Sequence, residues 1–303
     1  MITSVMSTPY LFDRKLVITH RLRAIRAGLE AFLLERVAQE LVERLSAVNR
    51  RFPLVLDLGT PGDQLTFALK KSSQVDRLVA YDSLGDLRHW STERVIGDEE
   101  ALPFCNEKFD LVASALSLQW INDLPGTLLQ IRRVLRPDGL MLIALIGGET
   151  LTELRESFAS AESEISGGIS PRVSPFAEVR SLGQLLLRAG FALPVVDIDR
   201  QVVRYSNALA LFHDLRRMGA ANALVERSRK PLTRKMIQRT FEIYAERFAD
   251  ADGRVRATFD VLWLSGWAPH ESQQKPLKPG SAKTRLADAL DTSEHPAGER
   301  AGG

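Results

Sequence analysis

The sequence predicts an α/β protein built on a doubly wound, mainly parallel sheet, with helical insertions after strands 5 and 6. Three observations carry that prediction. Short apolar runs alternate with stretches of helical periodicity. The first three runs each close on an acid. The first of them leads directly into a glycine-bearing turn, Asp57-Leu58-Gly59-Thr60-Pro61-Gly62-Asp63. A short apolar run bounded by turn residues marks a strand covered on both faces. Strands that alternate with helices over short links build a parallel sheet with helices on its two sides.

The elements follow in order. Residues 14–48 are expected to be helical, because Leu29, Phe32, Leu33, Val37, Leu41 and Leu45 recur at helical spacing until Arg50, Arg51 and Pro53 stop the pattern. Strand 1 covers 54–59, a helix covers 64–71, and strand 2 covers 77–82, ending on Asp82. Strand 3 covers 94–97 and is followed by Asp98, Glu99 and Glu100. Strand 4 covers 109–115, a helix covers 124–135, and strand 5 covers 140–146 after the turn Arg136-Pro137-Asp138-Gly139. The pattern then changes. Residues 147–180 read as a cap with one helix and a Gly167-Gly168 break. A helix at 182–189 and a strand at 195–205 follow, then a largely helical insertion at 207–250 and a last strand at 258–267. The domain division is an N-terminal helical segment 1–50, a central domain 51–267 with caps at 147–180 and 207–250, and a polar, poorly ordered tail 268–303.

Composition excludes several classes. The chain has 303 residues, 45% hydrophobic and 26% charged, with 40 basic and 38 acidic side chains. That balance gives no electrostatic case for nucleic acid, which leaves a basic excess or stripe. The arginine groups Arg21, Arg23, Arg26 and Arg227, Arg229, Lys230 read as solvated helix faces. A single cysteine, Cys105 in a turn, rules out an intrachain disulfide and suits a reducing compartment. No apolar run reaches the roughly 20 residues that cross a bilayer. The five histidines form no facial pair with a carboxylate, so no metal site is expected. His270 and Glu271 adjoin and read as structural or surface groups. Trp120, Trp263 and Trp267 are candidates to line a pocket, with buried packing as the default.

The candidate site is the set of strand-end acids around the glycine turn. Glycine lets a ligand approach the backbone, and helix N-terminal amides supply donors. A carboxylate at Asp82 suits the two hydroxyls of a ribose, and one at Asp98, with Glu99 beside it, suits an exocyclic amine. Asp57, Gly59 and Gly62 then cradle the ligand's other end. Each acid alone reads as a helix N-cap; three in register point to a nucleoside site. No pattern identifies a catalytic group.

These residues resemble a known family. Leu56-Asp57-Leu58-Gly59, Asp82, Asp98-Glu99 with Leu102-Pro103-Phe104, Phe109-Asp110-Leu111-Val112 and Leu135-Arg136-Pro137-Asp138-Gly139 are similar to class I methyltransferases of the type-11 group, whose fold is Rossmann-like. Further stretches resemble the mitochondrial complex I assembly factors regarded as arginine hydroxylases. They are Leu11-Phe12-Asp13-Arg14, Ser117-Leu118-Gln119-Trp120-Ile121-Asn122-Asp123-Leu124-Pro125, Gly148-Glu149-Thr150-Leu151, Ser174-Pro175-Phe176, Arg188-Ala189-Gly190-Phe191 and Gly266-Trp267 with His270-Glu271-Ser272-Gln273. The malonyl-carrier-protein methyltransferases of biotin synthesis are a more distant likeness.

The resemblance implies S-adenosyl-L-methionine as cofactor and a protein substrate, a respiratory complex I subunit, hydroxylated on arginine. True methyl transfer to a carboxylate or nitrogen, and a non-catalytic assembly chaperone, are the alternatives. Two residues depart from the family loop. Pro61 removes an amide proton and locks φ. Asp63 adds a negative charge near the position of the methionine carboxylate. The family also carries His where this chain has Gln119, so no base is assigned there. The Leu11-Phe12-Asp13-Arg14 feature starts so early that a bacterial cytoplasmic protein is expected, working at the membrane face, with the mitochondrial matrix as the alternative.

Overall fold

The apolar run at 55–58 is buried throughout and forms the end of β1 (Phe52–Leu58), as a strand with helices on both faces requires. The computed structural model describes residues 10–84, 93–274, 281, 285–289 and 291–293. The chain divides into a unit Met1–His270 and a unit Glu271–Gly303. In the second, one helix is described, α9 (Leu286–Ala289). The expected tail lies largely outside the described residues.

The first unit contains α1 (Arg14–Arg26), α2 (Phe32–Ser46), β1, α3 (Gln64–Lys71), β2 (Val75–Asp82), β3 (Glu93–Ile96), β4 (Phe109–Ala115), a 3-10 turn (Leu118–Trp120), α4 (Leu124–Val134) and β5 (Leu135–Gly147). It continues with α5 (Thr152–Ser166), α6 (Val179–Arg188), β6 (Ala192–Tyr205), α7 (Ala208–Arg217), α8 (Arg234–Phe248) and β7 (Val255–Trp267). The sheet order is β3-β2-β1-β4-β5-β7-β6. Every pairing is parallel except those of β7 with β5 and β6. Strand order therefore reverses between β1 and β4, and the crevice at their carboxyl ends is where such sheets bind ligands.

Side chains alternate across the sheet with the strand period of two. On β5, Leu140, Leu142, Ala144 and Ile146 enter one core with α2, α3, α5 and α7. Met141, Ile143 and Leu145 enter the other with α4 and α6.

Three expectations need correction. The helix expected over 14–48 is two helices. Asp13 caps α1 by accepting from the Leu16 amide at 3.1 Å, and α1 ends where Gly28 takes a φ of +82° in open space, a backbone state that glycine adopts without steric cost. Strand 5 starts at Leu135 rather than 140. The Arg136–Gly139 turn is absorbed as a register shift between Phe109 and Leu111, and the Asp138 amide donates to the Ala268 carbonyl at 3.0 Å. The arginine groups are not all solvated helix faces. Arg21 is buried, and Arg227 lies in an irregular segment between α7 and α8, ion-paired with Asp13 at 3.4 Å.

The two insertions pack on one another above the sheet. Phe212 of α7 stands 5.8 Å from Phe158 of α5 and 5.1 Å from Phe241 of α8, centroid to centroid. The cap is tied to β7 by buried Glu153, which accepts from the Thr258 amide at 3.1 Å and its hydroxyl at 2.5 Å. The Glu149 amide donates to Asp260 at 2.8 Å. These bonds give the Gly148-Glu149-Thr150-Leu151 stretch a structural task.

Candidate functional site

β1 delivers Asp57, Gly59 and the turn to the switch point. Gly59 has a φ of +71° and Gly62 one of +81°, conformations that a side chain resists. The Gly59 amide donates to the Tyr81 carbonyl at 2.6 Å and ties the turn to β2. A Cβ on Gly59 would lie 2.6 Å from Ser117 Oγ and 3.0 Å from Glu99 Cγ, so the turn, the 3-10 segment and the loop after β3 converge there. Gly59→Ala is accordingly expected to lower stability by about 2 kcal/mol, read from the urea midpoint; an unchanged midpoint would show that the contact yields.

Each predicted acid is buried or engaged. Asp57 is 3% exposed; one oxygen accepts from Thr66 Oγ1 at 2.8 Å, and the other has no hydrogen-bond partner among the described residues. Burial pushes its carboxyl up to about 6, against the pull of the Thr60 and Thr66 hydroxyls and the Arg94 charge. Asp82 accepts from the Leu84 amide at 2.6 Å and forms a buried ion pair with Arg94 of β3. Glu99 is fully buried; it accepts from the Ser83 amide at 3.2 Å and hydroxyl at 3.0 Å, and pairs with Arg14 of α1. Asp98 is the more open acid, 3.2 Å from the same Arg14.

α1 therefore contributes to the site. Arg14 also donates to the Trp120 carbonyl at 3.2 Å. Phe12 packs edge-on against Trp120 at 5.4 Å, and its amide donates to Asn122 Oδ1 at 2.8 Å. The Asn122 side chain returns a bond to the Phe12 carbonyl at 3.2 Å. The segments 11–14, 98–100 and 117–123 thus form one knot at the strand ends.

Asp63 sits at the N-cap of α3, where the helix dipole favours its charge. Pro61 is buried and lines a cavity of about 500 Å³ between the strand ends and the cap. The walls are mainly apolar, with Leu33, Leu154, Phe158 and Phe212 among them. Arg21, Arg172, Arg216 and Arg227 face it, against one carboxylate, Glu30. Trp120 lines it too. Trp263 and Trp267 do not, and carry the guanidiniums of Arg44 at 4.3 Å and Arg50 at 5.9 Å.

The structure brings Gly59, Asp57, Asp82, Asp98 and Glu99 to one end of the sheet. Gly62 faces Leu29 and Gln64 on the side of the cavity. Arg14, Arg21 and Arg94 were not identified in the sequence, although the first lies in the Leu11-Phe12-Asp13-Arg14 stretch. Nothing local marks an arginine that folds back onto a distant acid.

Residues 30–194, more than half of the chain, match the profile of a methyltransferase domain. The chain belongs to the methyltransferase-domain family. Within it, the chain is 44% identical over 263 residues to "Arginine-hydroxylase NDUFAF5, mitochondrial" of Danio rerio, covering 85% of this chain and 81% of that protein. It is 34% identical over 249 residues to the "Malonyl-[acyl-carrier protein] O-methyltransferase" of Xylella fastidiosa, covering 79% of this chain and 82% of that protein. A methyltransferase structure from Bacillus halodurans superposes with a TM-score of 0.52 at 18% identity, over 76% of this chain and 97% of that one, which is a likeness of fold. The sheet is thus the class I, Rossmann-like methyltransferase sheet with its reversed seventh strand.

The site's chemistry suits the amino-acid end of an adenosyl group. Buried acceptors at Asp57 Oδ1, Gln64 Oε1 and Gln119 Oε1 have no hydrogen-bond partner among the described residues. Such orphans at a site call for a ligand with donors. Both oxygens of Asp82, the acid expected to hold a ribose, are already engaged by Leu84 and Arg94.

Proposed function

We propose that this methyltransferase-fold protein is a bacterial enzyme that binds S-adenosyl-L-methionine and hydroxylates an arginine side chain of a protein substrate, a subunit of the bacterial counterpart of respiratory complex I, with dioxygen as the oxygen source and a two-electron reductant taking its second atom to water. The observation that carries the reading is the 44% identity, over most of both chains, to a protein named an arginine hydroxylase. In this reading Asp57, Gly59 and Gly62 hold the cofactor's amino-acid end, Asp82 the ribose, and Asp98 with Glu99 the adenine side. Adenosyl binding then requires Asp82 to exchange Arg94 for the ribose hydroxyls. When bound in methyltransferases that group supplies an electrophilic methyl on sulfonium; in this chain Asp57, Gly59 and Gly62 would hold it, beside the cavity wall that carries Gln119 and Leu116. We place the enzyme in the cytoplasm at the membrane face. No helix among the described residues is long and apolar enough to cross a membrane.

One observation favours methyl transfer to a carboxylate as the second reading. The cavity wall carries four guanidiniums and one carboxylate; Arg172 is paired with Glu162 and Arg227 with Asp13, which leaves Arg21 and Arg216 to favour an anionic substrate over a cationic one. The 34% identity to a carboxylate O-methyltransferase agrees. The buried Arg94–Asp82 pair and Pro61 favour a third, a non-catalytic assembly chaperone.

Mass spectrometry of the candidate subunit, purified with and without the gene for this protein, separates the three. An arginine gaining one oxygen atom supports hydroxylation. A gained methyl group overturns it in favour of methyl transfer. An unmodified subunit, with no calorimetric binding of S-adenosylmethionine, leaves the chaperone.

A further inference from the structure

Arg21 is a buried cation whose contacts are all neutral. It is 3% exposed and stands where α1, the glycine turn, the 3-10 segment and the cap cavity meet. Its guanidinium donates to the Gly59 carbonyl at 3.5 Å, to Ser117 Oγ at 3.3 and 3.2 Å, and to the Ser117 carbonyl at 3.4 Å. These are long for N–H···O bonds, which cluster near 2.9–3.0 Å. The nearby carboxylate, Glu99, is already paired with Arg14, so the attraction of one and the repulsion of the other oppose at Arg21. Burial draws Arg21 down to about 10. A buried charge is costly unless paired, and this one faces a cavity.

The surroundings say what would pair it. Pro61 has removed an amide donor from the turn, so an incoming anion needs its donors from elsewhere, and Arg21 supplies a fork of them. The Glu99 carboxylate acts on Arg21 and disfavours a dianion such as phosphate there. One guanidinium with neutral neighbours suits a single carboxylate.

We propose that Arg21 anchors the carboxylate of a ligand at the junction of the glycine turn and the cap cavity. That carboxylate has two possible sources. One is the amino-acid end of an adenosyl ligand, which rests on the cofactor reading above; the unpartnered acceptors of Asp57, Gln64 and Gln119 then face its ammonium side. The other is a carboxylate on an apolar chain that fills the cavity walled by Leu33, Leu154, Phe158 and Phe212, which is independent of that reading.

Calorimetry on the full chain with two ligand pairs tests this. S-adenosylhomocysteine is compared with 5′-methylthioadenosine, which keeps the nucleoside and lacks the amino-acid carboxylate. Decanoate is compared with decan-1-ol. The parent protein is expected to prefer the carboxylate member of one pair by roughly ten- to hundredfold. Arg21→Met should remove that preference while leaving the neutral member's affinity unchanged. Arg21→Lys should retain part of it, and carries the test if the Met variant does not fold. No preference in either pair overturns the anchor, as does a preference that survives in Arg21→Met. A parent that ignores both nucleosides but selects decanoate through Arg21 sinks the cofactor reading and keeps the anchor. A parent that selects S-adenosylhomocysteine equally well without Arg21 does the reverse.

Discussion

Asp57→Asn stabilises this protein by about 3 kcal/mol at pH 8 and by under about 1 kcal/mol at pH 4. The carboxyl is buried at the end of β1 and held near 6 instead of 3.8, chiefly by loss of solvation. The folded state therefore holds its proton more tightly than the unfolded chain. As pH rises from about 3.8 to about 6, the unfolded chain releases that proton first and stability falls; above 6 the loss is complete and constant. An Asn at 57 carries no charge and keeps an acceptor for Thr66, which now donates at 2.8 Å. Urea unfolding of parent and variant across pH 4 to 8 measures the difference. A gap independent of pH would mean that Asp57 is not the titrating group. A binding site commonly carries such a cost because function needs the charge, so the same variant should bind S-adenosylhomocysteine more weakly if the cofactor reading holds.

Arg94→Met destabilises by about 3–5 kcal/mol, because it leaves the Asp82 carboxylate buried and without its counter-charge. The two side chains are 4% and 3% exposed, so water cannot replace the lost partner. Combining the change with Asp82→Asn should recover most of the loss. Non-additivity of that size marks direct coupling, and simple addition of the two single effects would show that the pair is not a unit. In the single variant, the freed Asp82 needs new donors. If it faces a ribose in the bound state, S-adenosylhomocysteine should raise the melting temperature of Arg94→Met more than that of the parent. An equal or smaller rise would remove Asp82 from the nucleoside site.

The sheet was legible because its signals are local. Val55, Leu56 and Leu58 are apolar neighbours, and the acid and glycine that follow them mark a strand running into a turn. The same adjacency put Asp57, Asp82, Asp98 and Glu99 at strand ends, and the structure brings those ends together. The split between α1 and α2 was less legible, since Leu29 and Phe32 continue the helical spacing across Gly28, and only the positive φ at that glycine reveals the break.

The Leu11-Phe12-Asp13-Arg14 and 117–125 stretches were recognisable as patterns, but their reason is tertiary. Phe12 and Trp120 are ring neighbours, and Asn122 bonds both backbone groups of Phe12. Gly148 is similar: a Cβ there would stand 2.6 Å from Asp260 Oδ2, a partner 112 positions away.

By itself, then, the sequence determined the order of the strands along the chain, the position of the glycine turn, and which acids close which strands. All of these depend on residues within a few positions of one another, where backbone period and turn chemistry act. The state of those acids was decided by tertiary structure alone. Arg14 reaches Glu99 across 85 positions and Arg21 reaches Ser117 across 96. Charge pairing depends on separation in space, and no spacing along the chain says which guanidinium packing will bring beside which carboxylate, or which will be left facing a cavity.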